Sequence, residues 1–180
     1  FIREVGTELY HQMLEEEIVK QKQKLTNIKN TNNQYSFQPI IKIPEEIYIP
    51  ENYIDDLDLR ISIYKRISSI NSEEKTNQLM IELIDRFGKF PVEINNLFKL
   101  MEIKLLCWEN NIELIEFSRK GIVFGFYLNK PPNPEKLMKL GFAKNNQFNI
   151  RPDQKIFYDF MGELNEDRFI LTKKLISKLK

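Results

Sequence analysis

The chain has 180 residues, 42% of them hydrophobic and 29% charged, a balance that excludes fibrous and disordered classes and suits one globular domain or two small ones. Lys and Arg number 27 against 26 Asp and Glu, a formal charge of +1 and a pI near 7.9, far from the strongly basic balance of dedicated nucleic-acid domains. The single cysteine, Cys107, rules out a disulfide framework and any multi-cysteine zinc site. With no apolar run of about 18 residues and no secretory layout at the start, the expected compartment is cytoplasmic and no membrane partner is expected.

Val5, Leu9 and Met13, with Tyr10, Leu14 and Ile18, recur at the spacing of one helical face and predict an amphipathic helix over residues 6–25. Its opening, Phe1 to Gly6, reads as the middle of a longer polypeptide. Residues 26–34 are almost all polar and without periodicity, so a mobile loop is expected over 26–38. Ile40, Ile41 and Ile43, closed by Pro44, predict a short strand, and an extended stretch punctuated by Pro50 follows. Leu57, Ile61, Tyr64 and Ile67 mark the stripe of a helix ending near Ser69.

Asn71 can cap the next helix, with Glu74 three residues on, while Leu79, Met80, Leu83, Ile84 and Phe87 supply its apolar face. Gly88 closes it as a left-handed cap would. Pro91 suits the first turn of a third helix, in which Ile94, Leu97, Phe98, Met101, Ile103 and Trp108 leave little polar surface, so this helix should be central. Ile112 to Phe117 and Ile122 to Leu128 predict a hairpin around the turn Ser118, Arg119, Lys120, Gly121. A short helix from Glu135 to Leu140 stopped by Gly141, two strands around Arg151 to Asp153, and a last helix within Asn165 to Lys180 complete the chain. The order is α+β: a helical first two thirds, then a small antiparallel sheet and a C-terminal helix.

Catalytic constellations are missing from the pattern. The six glycines are scattered, so no phosphate-binding loop and no nucleotide cofactor are expected. His11 is the only histidine and lies beside the apolar stripe of the first helix, which reads as a boundary position. Cys107, next to Trp108 in the most apolar helix, reads as an inert small hydrophobe. Asp55, Asp56 and Asp58, like Glu15, Glu16 and Glu17, read as solvated carboxylates near helix N-termini, not as a metal set. The chain is therefore not expected to be an enzyme by itself.

The most informative stretch is Glu82, Leu83, Ile84, Asp85, Arg86, Phe87, Gly88. Helix geometry sends Leu83, Ile84 and Phe87 to the core and presents Glu82 and Asp85, about 60° apart, on the opposite side with Arg86 alongside. On spacing alone the plain reading is an i,i+4 Glu82 to Arg86 ion pair worth about 0.2 to 0.5 kcal/mol, with Asp85 solvated.

Taken together, Tyr48, Ile49, Pro50, Arg60, Tyr64, Lys65, Arg66, Ile67, then Glu82 through Gly88 and Pro91, resemble the C-terminal domain of the bacterial transcription-repair coupling factors, the Mfd family. Val5, Gly6, Glu8, Leu9, Tyr10, Met13, Leu14 and Glu15 are similar to the family's leading helix. The resemblance implies residues 1–25 as a leading helix continuing from a motor region, and 26–180 as a single regulatory domain. It implies a non-catalytic role in transcription-coupled repair. The domain would pack on a UvrB-like module of the same polypeptide, cover its UvrA-binding surface and restrain a DNA translocase until stalled RNA polymerase is engaged. On that resemblance Glu82 and Asp85 match the acidic residues that contact arginines of the module, with Arg86 beside them. An alternative reading is a nucleic-acid-binding module using Lys65, Arg66, Arg119, Lys120, Lys173, Lys174, Lys178 and Lys180, with Phe124, Phe126 and Tyr127 as stacking groups.

Overall fold

The computed structural model describes residues 36–144 and 147–180. The helix expected over 6–25, with His11 and Glu15 to Glu17, and the loop expected over 26–38, except its last three residues, lie outside them. Contacts along the chain group the described residues into two compact units, 45–101, and 36–44 with 102–180. The architecture is α+β.

The first unit holds helices α1 (Leu57–Ser69) and α2 (Glu73–Phe87) and residues 92–101 of α3 (Val92–Glu109). Asp56 caps α1 by accepting from the Leu59 N–H at 2.7 Å. For α2 the cap is Ser72, one residue later than the spacing predicts, because its extended backbone places the hydroxyl over the Lys75 N–H. Asn71 accepts from the Lys75 ammonium instead. Ile47, Ile49 and Ile54 from the extended segment pack with Ile63, Tyr64 and Ile67 of α1, Leu79 and Leu83 of α2, and Ile94, Leu97 and Met101 of α3 as a buried set. One expectation changes here. Leu57 is exposed and Ile63 takes its place, which turns the α1 stripe toward Ile63, Tyr64 and Ile67.

Residues 45–56 make no strand, so their backbone groups are satisfied by side chains. The Ile49 N–H donates to the Tyr64 hydroxyl at 2.6 Å, Arg60 donates to the carbonyls of Ile54 and Asp55, and Asn96 donates to that of Glu46. The Tyr53 hydroxyl reaches the carbonyls of Leu83 and Gly88. Gly88 has φ +86° and ψ −160°, which is mirror-extended backbone, not the left-handed cap expected, though equally a glycine position. Pro91 precedes α3, its carbonyl accepting from the Asn95 N–H.

In the second unit five strands run in the order β1-β2-β3-β5-β4. They are β1 (Ile40–Lys42), β2 (Ile112–Phe117), β3 (Gly121–Phe126), β4 (Phe148–Ile150) and β5 (Ile156–Asp159). The hairpin and the last pair are antiparallel as expected, but β1 pairs with β2 in parallel. Parallel pairing needs a long crossover, and three helices lie between these strands in the chain. β3 stops at Phe126, because Leu128 and Asn129 take φ near +54° and +53° in a tight turn. Gly121 lies so close to β5 that a Cβ would fall 2.0 Å from the Tyr158 carbonyl oxygen.

Helix α4 (Pro134–Phe142) runs through Gly141 instead of ending before it. A Cβ at Gly141 would lie 2.7 Å from Ile150 Cδ1, so this glycine lets the helix approach β4 and is not a stop. Helix α5 (Arg168–Leu179) is capped by Asp167 and buries Phe169, Leu171, Leu175, Ile176 and Leu179. Ile112, Ile115, Ile122, Phe124 and Ile156 supply the buried side of the sheet. No helix among the described residues is long and apolar enough to cross a membrane.

Candidate protein interface

The outward side of α2 carries the residues that the sequence singles out. At about 100° per residue, Ile84, Ile81, Asp85, Glu82 and Arg86 follow one another around the helix, with Ile81 and Asp85 opposite the buried Thr76, Leu79 and Leu83 and with Ile84 and Arg86 at the two rims. The acidic pair is therefore presented together, but the two carboxylates differ in kind.

Glu82 is engaged on both oxygens. Arg66 of α1 grips it with a two-pronged fork, Nη1 to Oε1 at 2.8 Å and Nη2 to Oε2 at 2.7 Å, and Arg86 adds a bond to Oε1 at 3.0 Å. The Arg66 hydrogen bonds, and then those of Arg86, hold the Glu82 carboxyl down at about 2, well below its usual range. Asp85 is exposed and, among the described residues, makes no ion pair or hydrogen bond. Arg86 also lies 5.0 Å over the Phe87 ring, which fixes its reach along the surface. Helical spacing foresees the Arg86 pair. Arg66 is a partner from another helix, 16 residues back, that spacing cannot supply.

Ile84 departs from expectation. It is 48% exposed, and Ile81, which the sequence reading passed over, is 69% exposed. The buried stripe of α2 turns on Thr76, Leu79 and Leu83, and this phase carries Ile84 to the rim. An i,i+3 isoleucine pair flanking an exposed carboxylate is the makeup of a recognition patch, an apolar centre with a charged edge. An isoleucine at 81 off the predicted stripe was the available signal.

Other candidates fall away or move. Phe124 and Phe126 are buried and offer no face for base stacking, while Tyr127 stacks on Phe37 with centroids 4.7 Å apart. Cys107 is fully buried, and burial pushes its thiol well above the ordinary range, as an inert hydrophobe requires. Asp56 serves as a helix cap.

Residues 43–137 match the family model described as the TRCF domain. The chain belongs to the TRCF domain family. Other TRCF proteins agree with this. The transcription-repair-coupling factor of Rickettsia conorii is 38% identical over 157 residues, covering 87% of this chain and 14% of that protein. The factor of Bacillus subtilis is 37% identical over 122 residues, 68% of this chain and 10% of its own. A crystal structure of the C-terminal domain of a transcription-repair coupling factor superposes with a TM-score of 0.63 at 22% identity, covering 82% of this chain and 95% of that one. The fold is thus that of the TRCF C-terminal domain, and the chain spans about 14% of the length of the Rickettsia relative.

The residues on which the sequence resemblance rests now have physical roles. Ile49, Arg60 and Tyr64 close the hydrogen bonds of the extended segment. Arg66 and Glu82 tie α1 to α2.

Proposed function

We propose that this chain is the regulatory C-terminal domain of a transcription-repair coupling factor and acts by protein contact, without chemistry of its own. In this reading it docks on a UvrB-like module of the same polypeptide, masks the surface that UvrA uses, and restrains the DNA translocase until stalled RNA polymerase is engaged. The observation that carries the proposal is the outer face of α2, where Asp85 stands exposed between Ile81 and Ile84 on one side and the Glu82 network on the other. An arginine of the module would form a charge-assisted bond with Asp85. Glu82, already held by two guanidiniums, keeps Arg66 and Arg86 from pairing with Asp85 in its place. The isoleucines supply the apolar area that a carboxylate lacks.

The test is a titration of this chain with the UvrB-like module. Asp85→Ala should weaken binding by about tenfold, about 1.4 kcal/mol, and Ile81→Ser with Ile84→Ser by at least as much. Circular dichroism should remain that of the parent, since none of the three is buried. In the full-length factor, Glu82→Ala with Asp85→Ala should expose UvrA binding and raise resting ATP hydrolysis. Unchanged affinity and unchanged resting activity would remove the interface from α2.

A further inference from the structure

The charge balance of the chain conceals a division. Residues 45–101 carry seven Lys and Arg against eleven Asp and Glu, whereas residues 102–180 carry fourteen against ten. The excess gathers on α5, which holds Arg168, Lys173, Lys174 and Lys178 and no acidic residue. Lys174 and Lys178 are one turn apart and rim an open groove of about 620 Å³, with Lys136 of α4 on its other wall and Ser177, Gln147 and Tyr158 along it.

The groove's polar groups are unequal. Tyr158 donates its hydroxyl to Gln147 Oε1 at 3.0 Å, and Gln147 donates to the Asp159 carbonyl at 2.9 Å, so both serve the fold. Lys174 pairs with Glu166 at 2.9 Å and Lys136 donates to the Lys180 carbonyl at 2.8 Å, and each ammonium keeps further protons to offer. Lys178 has no ion pair among the described residues. The floor of the groove includes the apolar side chains Leu140 and Phe148, and its charge comes from three ammonium groups beside the Ser177 hydroxyl. No arginine lines the groove. The planar guanidinium fork fixes one geometry on a carboxylate or a phosphate, whereas the compact ammonium binds phosphate as a point charge and tolerates the varied orientations along a phosphodiester backbone. An open groove with spaced point charges suits an extended polyanion better than a single phosphate group.

From this arrangement we infer that the groove between α4 and α5 holds the phosphodiester backbone of a nucleic acid, without base readout. Recognition is by counter-ion release, so affinity is weak, independent of sequence and steeply dependent on salt. The groove shares no residue with α2, so the inference stands or falls without the proposal made for that helix.

Fluorescence anisotropy of the 180-residue chain with a labelled duplex and a labelled single strand tests it. With about three phosphates neutralised, log affinity should fall with log salt at a slope of about −2.7 for the duplex and about −2 for the single strand. K136Q, K174Q and K178Q combined should weaken binding by about tenfold or more at low salt and flatten that slope. R119Q with K120Q, which removes charge from the β2–β3 turn outside the groove, should change binding by less than about twofold. K178Q alone guards against misfolding, because Lys178 is exposed and supports no bond of the fold. Its effect should be about a third of the triple variant's on the slope. Three results would overturn the inference: no salt-dependent binding by the parent chain, equal losses from the groove and the turn, or a poly-glutamate peptide that binds through the groove lysines more tightly than either nucleic acid.

Discussion

Glu82 shows how a single carboxylate can be exposed yet already spoken for. Because Arg66 and Arg86 hold its carboxyl at about 2 in the folded chain, against about 4.3 for a free glutamate, folding favours the ionised form. The stability this contributes is fully present above about pH 4.5 and is lost as the pH falls through about 2. Since the three side chains are partly solvated, screening reduces the gain to about 1 kcal/mol or less. Urea unfolding of the parent chain and of Glu82→Gln should therefore differ by about that amount at pH 7 and converge only below about pH 2. A gap that persists at low pH would mean that Glu82 acts through packing and not through its charge. Asp85, one turn away, carries no such internal tie, and this asymmetry is why its removal should be felt by a partner more than by the fold.

At the scale of elements, periodicity located the helices and strands of the described region but set their phases less surely. Its α1 stripe starts at Leu57, because apolar letters alone cannot show that the fold buries Ile63 and leaves Leu57 in solvent. On α2 it sent Ile84 inward, since a core that needs Thr76, Leu79 and Leu83 looks the same in sequence as one that needs Ile84. The parallel β1–β2 pair depends on residues more than 70 positions apart, beyond any local pattern. Helix α3 buries Ile94, Leu97, Phe98, Met101, Ile103 and Trp108, as its apolar pattern implies, but one of its residues complicates that pattern. Lys104 is half-buried 4.9 Å over the Trp108 ring, and burial lowers its pKa from 10.5 to about 8. Here the folded value lies below the unfolded one for a base, so stability should rise with pH between about 8 and 10.5. The ring attracts the cation and opposes the shift, and the lowered value says that burial outweighs it. Lys104→Met should raise the melting temperature at pH 7 by roughly 3 °C, about 1 kcal/mol for a chain of this size, and abolish the alkaline rise. A lower melting temperature would mean that the cation over the indole is worth more than its desolvation costs.

For the whole molecule, the proposed clamp has to be firm enough to close and weak enough to open. Tethering two modules on one polypeptide gives an effective concentration on the order of 1 mM, so an isolated affinity of about 0.1 mM already keeps about ten molecules closed for each one open. A patch of one exposed carboxylate and two isoleucines suits that modest affinity, and a much tighter interface would resist release. The same proposal makes a claim about geometry that affinity alone cannot test. If this chain and UvrA occupy one surface of the UvrB-like module, binding is exclusive, and the apparent dissociation constant of the chain must rise linearly with UvrA concentration without limit. If they occupy different surfaces and communicate, reciprocity caps the effect at the coupling factor, about 5-fold to 150-fold, and the curve reaches a plateau. Titrating the labelled chain against the module at increasing UvrA separates the two, and the expected result is the straight line. A plateau would keep the regulatory role but replace masking with coupling. Indifference to UvrA would leave α2 with a different partner, and the Asp85→Ala titration would then have to be repeated against the remaining modules of the full-length factor.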